Sequence, residues 1–178
     1  MKLKPMMILP PLIFAALAAM FYFGMGRDDA LESTREGGPV PTLTLAAFDG
    51  TAPFTVDDLA DGEVVLVNFW ASWCGPCRAE HEHLMTLAGE GIDIFGINYK
   101  DEPAKAQRFL NDLGNPYVRI AADDTGRTGL DWGLYGVPET FVIDGNGTVV
   151  KRFAGPISAS ILDAIIRPAI ETARAQSD

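Results

Sequence analysis

Read for its alternation of apolar and polar positions, the chain falls into short blocks. Val64-Val65-Leu66-Val67-Asn68-Phe69-Trp70 is a nearly continuous apolar run. A run of this kind marks a central strand covered on both faces, and the strand is expected over 63–70. The segment after it, from Cys74 to about Ala88, has helical periodicity: Leu84, Leu87 and Ala88 continue the face of Cys77. Ile92 to Tyr99 reads as a second strand. Pro103 suits a first helical turn, so a helix is expected from there to Leu113, ended by Gly114-Asn115-Pro116. Tyr117 to Ala121 is a third short strand, and a short helical segment is expected around Leu130-Asp131-Trp132. Thr140–Asp144 and Thr148–Phe153 flank Gly145-Asn146-Gly147, which is hairpin chemistry. Ser158 or Ser160 should cap a last helix, interrupted at Pro168 and frayed from Glu171 to Ser177. Near the start of this part, Thr42-Leu43-Thr44-Leu45 alternates like a strand. Thr55 is placed to cap a short helix, with Asp58 at the capping-box position. Strands alternating with helices and closing on an antiparallel hairpin give an α/β fold, a mixed central sheet with helices on both faces.

The N-terminus breaks the pattern. Met1-Lys2-Leu3-Lys4 is basic, and Pro5 to Gly26 is 22 residues without a charge. A membrane span needs roughly 20 apolar residues, and the preceding lysines would keep that end cytoplasmic. The expected organisation is a membrane anchor over 1–26, a polar tether over 27–41 and one folded domain over 42–178. Ala16-Leu17-Ala18 has the small-x-small spacing of a cleavable signal, but the apolar run continues through Phe21 and Phe23. An uncleaved anchor is therefore the preferred expectation; both readings export the domain.

Charge removes one class of function. The sequence holds 14 Lys+Arg and 24 Asp+Glu, net −10. All 24 acids and 12 of the bases follow residue 26, so that part carries net −12. Phosphate backbones need a basic face, so nucleic acid is not an expected partner.

The only two cysteines, Cys74 and Cys77, lie where the central strand gives way to its helix. A bridge across so short a loop constrains the unfolded chain little, which points to exchange or metal binding rather than staple duty. Zinc would need two further ligands. His81 and His83, two apart on a helix, point about 200° apart, so no metal is expected. Cys74 falls where unpaired helix N–H groups favour a thiolate, and is expected to be the exposed, attacking sulfur. Cys77, about 300° round the helix, is placed to resolve a mixed disulfide. Gly75 and Pro76 control N–H donation and rigidity between them. Val137-Pro138 precedes the hairpin; a turn proline there is ordinarily trans, and a cis bond would set the Val137 backbone beside Cys74. Glu80 shares a helix face with Cys77, and Glu139 follows Pro138; either could exchange protons with the thiols, though a helix carboxylate is ordinarily solvated. His81 is read as a surface residue, and Trp132 and Tyr135 as packing.

Phe69-Trp70-Ala71-Ser72-Trp73-Cys74-Gly75-Pro76-Cys77-Arg78 resembles the thioredoxin superfamily. Cys77-Arg78-Ala79-Glu80-His81, Gly96-Ile97-Asn98-Tyr99-Lys100-Asp101, Leu113-Gly114-Asn115-Pro116-Tyr117 and the stretch from Tyr135-Gly136-Val137-Pro138-Glu139 to Gly147 are similar to the cytochrome c biogenesis thiol:disulfide interchange proteins called CcmG or DsbE. The resemblance covers about residues 40–170 and the single N-terminal anchor. It implies a thioredoxin-like fold with an extra β-α unit between the cysteine helix and a cis Pro138, fitting the 60 residues between Cys77 and Pro138. It implies a protein-disulfide reductase without a cofactor, anchored in the inner membrane with its domain in the periplasm. Its substrates would be apocytochrome c or a CcmH-like dithiol protein, and its electrons would come from a DsbD- or CcdA-type membrane thiol transporter. Trp73, Gly75, Pro76, Glu80, Val137, Pro138 and Glu139 would support the cysteines. The chain departs from ordinary thioredoxins at Asn68, where those carry a buried Asp, so a proton-transfer role would pass to Glu80 or Glu139. Two alternatives stand beside this: a tethered reductase for another client, such as a copper-site assembly protein, and a peptide-binding module without a redox role.

Overall fold

In the computed structural model, residues 9–24 and 35–177 are described. The chain divides into two compact units, 1–32 and 33–178. In the first, a helix α1 spans Leu9–Gly24, 16 residues without a charge. Among the described residues no helix is long and apolar enough to cross a membrane. Residues 1–8 and 25–34, which complete the expected anchor and most of the expected tether, lie outside the described residues.

The second unit is an α/β fold built on six strands: β1 (Ala46–Ala47), β2 (Val65–Trp70), β3 (Asp93–Tyr99), β4 (Arg119–Asp123), β5 (Glu139–Ile143) and β6 (Val149–Ala154). Their order across the sheet is β1-β4-β3-β2-β5-β6. Strands β2, β3 and β4 run parallel; β5 lies antiparallel to β2, β6 to β5, and β1 to β4. The apolar run of β2 is buried throughout, as a strand with helices on both faces must be.

Two cores follow from the alternation of side chains along β2. Leu66, Asn68 and Trp70 face α2 (Gly75–Gly89), α3 (Pro103–Leu113) and the C-terminal helical segments, packing with Leu84, Leu87, Phe109, Leu162 and Ile166. Val65, Val67 and Phe69 face the other way, packing with Leu59, Trp132 of α4 (Arg127–Trp132), Phe141 and Ile143. Between α2 and Pro138 the chain makes β3, α3, β4 and α4, which occupies the long interval between the cysteines and the proline.

Three local expectations are corrected. Thr42–Leu45 is not in a ladder, and the pairing strand is Ala46–Ala47. The reason lies at Thr44, whose N–H donates to Thr128 Oγ1 and whose carbonyl accepts from the same hydroxyl, both at 2.9 Å, so a side chain takes the place of a neighbouring strand. Thr55 and Asp58 do pair, but Asp58 accepts from both the backbone and the hydroxyl of Thr55, and a 3-10 turn Asp57–Leu59 follows. The C-terminus does not fray. Ser158 caps α5 (Ala159–Ile161), a π-helical stretch Leu162–Ile166 precedes Pro168, and α6 (Arg167–Ser177) continues to the last described residue. The wider turn accommodates a residue with no N–H to give. The last turn is held by Gly145 N donating to Ser177 Oγ and Asn146 Nδ2 donating to the Gln176 carbonyl.

Gly96 has a particular duty. It sits between Asn68 and Ile120 in the sheet, and a Cβ there would lie 2.8 Å from the Tyr117 ring. Its bareness lets that ring lie flat across β3. Gly96→Ala is expected to destabilise the domain by about 1–3 kcal/mol through overpacking, read as a lower urea midpoint.

Candidate active site

The turn from β2 into α2 sets the cysteines. Cys74 is the N-cap in extended backbone, and its Sγ accepts from Cys77 N at 3.1 Å. Pro76 occupies the first turn, where a missing N–H leaves nothing unpaired. Cys74 and Cys77 are bonded to each other. Cys74 is buried almost as deeply as Cys77, 4% against 2% exposed, so exposure does not separate their roles as the sequence suggested.

The loop ahead of the cysteines is clamped by a residue that sequence reasoning did not single out. Asp101 accepts from Ser72 N and Ser72 Oγ at 2.6 and 2.7 Å, and from Asn98 Nδ2 at 3.0 Å. Trp73 Nε1 donates to the Lys100 carbonyl at 3.1 Å while most of the ring stays in solvent. Lys100, with Tyr99, Leu130 and Leu134, lines a cleft of ≈ 600 Å³. The signal for Asp101 was present in the Tyr-Lys-Asp motif, without an indication of what the carboxylate would hold.

Opposite the cysteines, the Val137–Pro138 peptide bond is cis. The Val137 carbonyl lies 3.5 Å from Cys74 Sγ. Glu139 follows, and its neighbourhood corrects the idea that it and Glu80 are interchangeable. Glu139 pairs with Phe69 and Glu80 bonds to Asn68, and successive residues of β2 face opposite sides of the sheet. Glu139 is fully buried and ion-paired to Arg152, also accepting from Tyr135 N at 3.0 Å. Arg152 reaches on to the Gly133 carbonyl and lies over the Tyr135 ring at 4.2 Å. The pair therefore braces the loop that carries Val137 and Pro138, and the exposed Tyr135 ring forms part of the same brace. Arg152 was invisible from sequence because the β5–β6 register, which sets it opposite Phe141, decides its direction.

Glu80 is the other correction. A helix carboxylate is ordinarily solvated, but Glu80 is fully buried. Oε1 accepts from Asn68 Nδ2 at 2.9 Å, and Oε2 from Ile157 N at 3.0 Å. Asn68 also donates to Thr140 Oγ1 at 3.0 Å and accepts from the Tyr117 hydroxyl at 2.9 Å. Burial pushes the Glu80 carboxyl up to about 7, against the two hydrogen bonds, which pull it down. It is thus a group that can change protonation near neutrality, one helical turn beyond Cys77. His81 is buried too, not on the surface: its Nε2 bonds the Gly114 carbonyl at 3.0 Å, and burial holds its pKa below the ordinary value. Of the aromatics read as packing, Trp132 is buried and Tyr135 is 70% exposed. The structure thus brings Trp73, Gly75, Pro76, Val137 and Pro138 around the cysteine pair, puts Glu80 behind it, and turns Glu139 to the other face of the sheet. Among the described residues there is no cluster of metal-ligating side chains.

With this geometry in view, comparisons place the chain among known proteins. The Redoxin family profile matches residues 35–166. The chain is 47% identical over 167 residues to the thiol:disulfide interchange protein HelX of Rhodobacter capsulatus, covering 93% of this chain and 95% of that one. It is 43% identical over 172 residues to the thiol:disulfide interchange protein DsbE of Escherichia coli K12, covering 93% of each. A crystal structure from Chlorobium tepidum, assigned as a thiol:disulfide interchange protein DsbE, superposes with a TM-score of 0.63 at 29% identity, covering 78% of this chain and 99% of that one.

Two measurements test the electrostatics. Folding raises the Glu80 pKa from an ordinary 4.5 to about 7. Stability from this group is therefore full below the ordinary carboxylate range and is lost as pH rises through about 7, a loss on the order of 3 kcal/mol. Urea midpoints should fall between about pH 5 and about pH 8, and Glu80→Gln should flatten that slope. Removing one partner of a buried ion pair strands the other, so Arg152→Ala should cost about 3–5 kcal/mol by the same assay.

Proposed function

The chain belongs to the Redoxin family, among the DsbE/HelX (CcmG) thiol:disulfide interchange proteins, and from that premise we propose that it is a protein-disulfide reductase serving cytochrome c maturation. The observation that carries this is the cysteine pair at the N-terminus of α2, bonded to itself and faced by the Val137 carbonyl at 3.5 Å. A backbone carbonyl so placed lets an extended client lie beside the sulfurs as an added strand.

The reaction runs from the dithiol. Cys74, with the Cys77 N–H directed at its sulfur, attacks one sulfur of a client disulfide as the thiolate. One S–S bond forms as the client's breaks, and the released client sulfur takes a proton. Cys77 then attacks Cys74 Sγ, closing the Cys74–Cys77 bond and releasing the second client thiol. Two electrons pass to the client, and the bonded pair of the structure is the spent state. Cys77 must lose a proton for the second attack. Glu80, poised near neutrality, is the group assigned to receive it; Glu139, locked to Arg152, is assigned to hold the cis-Pro loop. Exposed Trp73, next to Cys74 in the chain, supplies apolar contact for the client.

The client is assigned as the paired haem-attachment cysteines of apocytochrome c or a CcmH-like dithiol protein, and the source of electrons as a DsbD- or CcdA-type membrane thiol transporter. The N-terminal segment is assigned as an inner-membrane anchor, with the domain in the periplasm. The uncharged α1, with Leu12, Phe14, Leu17, Met20 and Phe21 exposed, supports that placement.

Trapping tests the reading. Cys77→Ser should accumulate a mixed disulfide through Cys74 with apocytochrome c or the CcmH-like protein, and deletion of the gene should remove c-type cytochromes, restored by external dithiol. A mixed disulfide formed through Cys77 in Cys74→Ser, with none through Cys74, reverses the roles. Normal cytochrome c levels in a Cys74→Ala, Cys77→Ala strain would leave only the peptide-binding alternative.

A further inference from the structure

The amide of Asn68 is held between two groups of opposite hydrogen-bonding character. Its nitrogen donates to Glu80 Oε1 at 2.9 Å and to Thr140 Oγ1 at 3.0 Å. Its oxygen accepts from the Tyr117 hydroxyl at 2.9 Å. Asn68, Glu80, Thr140 and Tyr117 are all buried. The Tyr117 ring is fixed independently, stacked on Trp70 at 5.5 Å and lying across Gly96.

A primary amide has a donor end and an acceptor end, and a half-turn exchanges them. An ionised Glu80 accepts only the donor end. A protonated Glu80 tolerates either, because its O–H can donate to a turned amide. The Tyr117 hydroxyl makes no other hydrogen bond among the described residues. A turned amide would leave that proton without an acceptor in the core, which buried hydroxyls avoid. Burial also keeps the phenol well above its ordinary pKa, so it remains a donor at working pH.

We propose that Tyr117 is a positioning residue for the dithiol site, its hydroxyl locking the Asn68 amide with the donor end toward Glu80 and so setting that carboxylate's affinity for a proton. This rests on the reading of Glu80 as the proton partner of the cysteine pair. The groups bonded to Glu80 are the Asn68 amide from β2 and the Ile157 N–H from the segment after β6; Cys77 stands three residues before it on the same helix, and Thr140 from β5 and the titratable Tyr117 lie beyond Asn68. Removing the hydroxyl releases the turned amide, which suits only the neutral acid. The Glu80 carboxyl should then bind its proton more tightly.

The experiment is a carbon NMR titration of the Glu80 side-chain carboxyl in the full chain, beside the pH profile of disulfide exchange. Tyr117→Phe keeps the stacked ring and should move the Glu80 titration upward by about half to one pH unit, roughly three- to tenfold in proton affinity. Thr140→Val removes the other acceptor that holds the amide nitrogen and should move it in the same direction. The exchange profile should follow in Tyr117→Phe, and the shift should vanish when Glu80→Gln is added. A Glu80 titration unmoved by both single variants, or an exchange profile shifted equally with and without Glu80→Gln, overturns the proposal. The titration reads Glu80 whether or not the chain exchanges disulfides. A wild-type chain that fails to reduce any client would therefore sink the functional reading separately from the positioning role.

Discussion

A carboxyl group with no access to water is the constraint on which the fold of this site depends. Glu80 projects from the cysteine helix into the face of the sheet, where neither oxygen can be left unbonded without a heavy penalty. Its two partners come from different parts of the chain: Asn68 in β2 and the Ile157 amide in the segment after β6. Satisfying them fixes the helix against the central strand and pulls in the C-terminal segment. With α2 fixed, Cys77 turns to the interior and Cys74 stands at the N-cap beside the Val137 carbonyl. The helix register that buries Glu80 also aligns the cysteines with the cis-Pro loop.

Acidic residues hold the site from three sides, and each works differently. Asp101 is a clamp, gathering the Ser72 amide and hydroxyl that fix the turn before Trp73. Glu139 is half of a buried ion pair whose Arg152 also reaches the Gly133 carbonyl. Such a pair gives a loop one geometry more than it gives net stability. Glu80 has no cation; its partners are neutral donors, and it is the one pushed toward neutrality. The sheet separates the last two, because Asn68 and Phe69 are consecutive in β2 and face opposite cores.

Where one residue type and one period decided the outcome, the sequence was legible. The buried β2, the Pro103–Leu113 helix and the β5–β6 hairpin follow from apolar runs, a first-turn proline and a glycine turn. The cysteine pair was legible as chemistry, whereas the cis bond at Pro138 entered only through the family resemblance. What escaped depends on contacts far apart in the chain. The Thr42–Leu45 alternation was overridden by one hydroxyl 84 positions away. Glu80 and His81 belong to residue types that favour water, and only the packing of α2 against β2 and Phe109 shows that both are inside. Arg152 points inward because the register sets it across from Phe141, and alternation within its own strand did not reveal that.

The electrostatics of the pair pull in opposite directions, and the balance bears on which way electrons run. The Cys77 N–H directed at Cys74 Sγ stabilises a thiolate there. Stabilising the thiolate of the reduced form makes the disulfide of the couple a better oxidant and the dithiol a weaker reductant, since the reduced state is then the one favoured. A neighbouring carboxylate does the reverse: it raises thiol pKa values and disfavours the reduced thiolate. A Glu80 that holds its proton weakly therefore biases the site toward giving electrons away, and one that holds it tightly relaxes that bias. Asn68, aligned with its donor end toward Glu80, favours the ionised carboxylate and with it the reducing direction. The acid stands on the helix, and the strand supplies an amide whose hydrogen bond opposes, without outweighing, the burial that favours its proton.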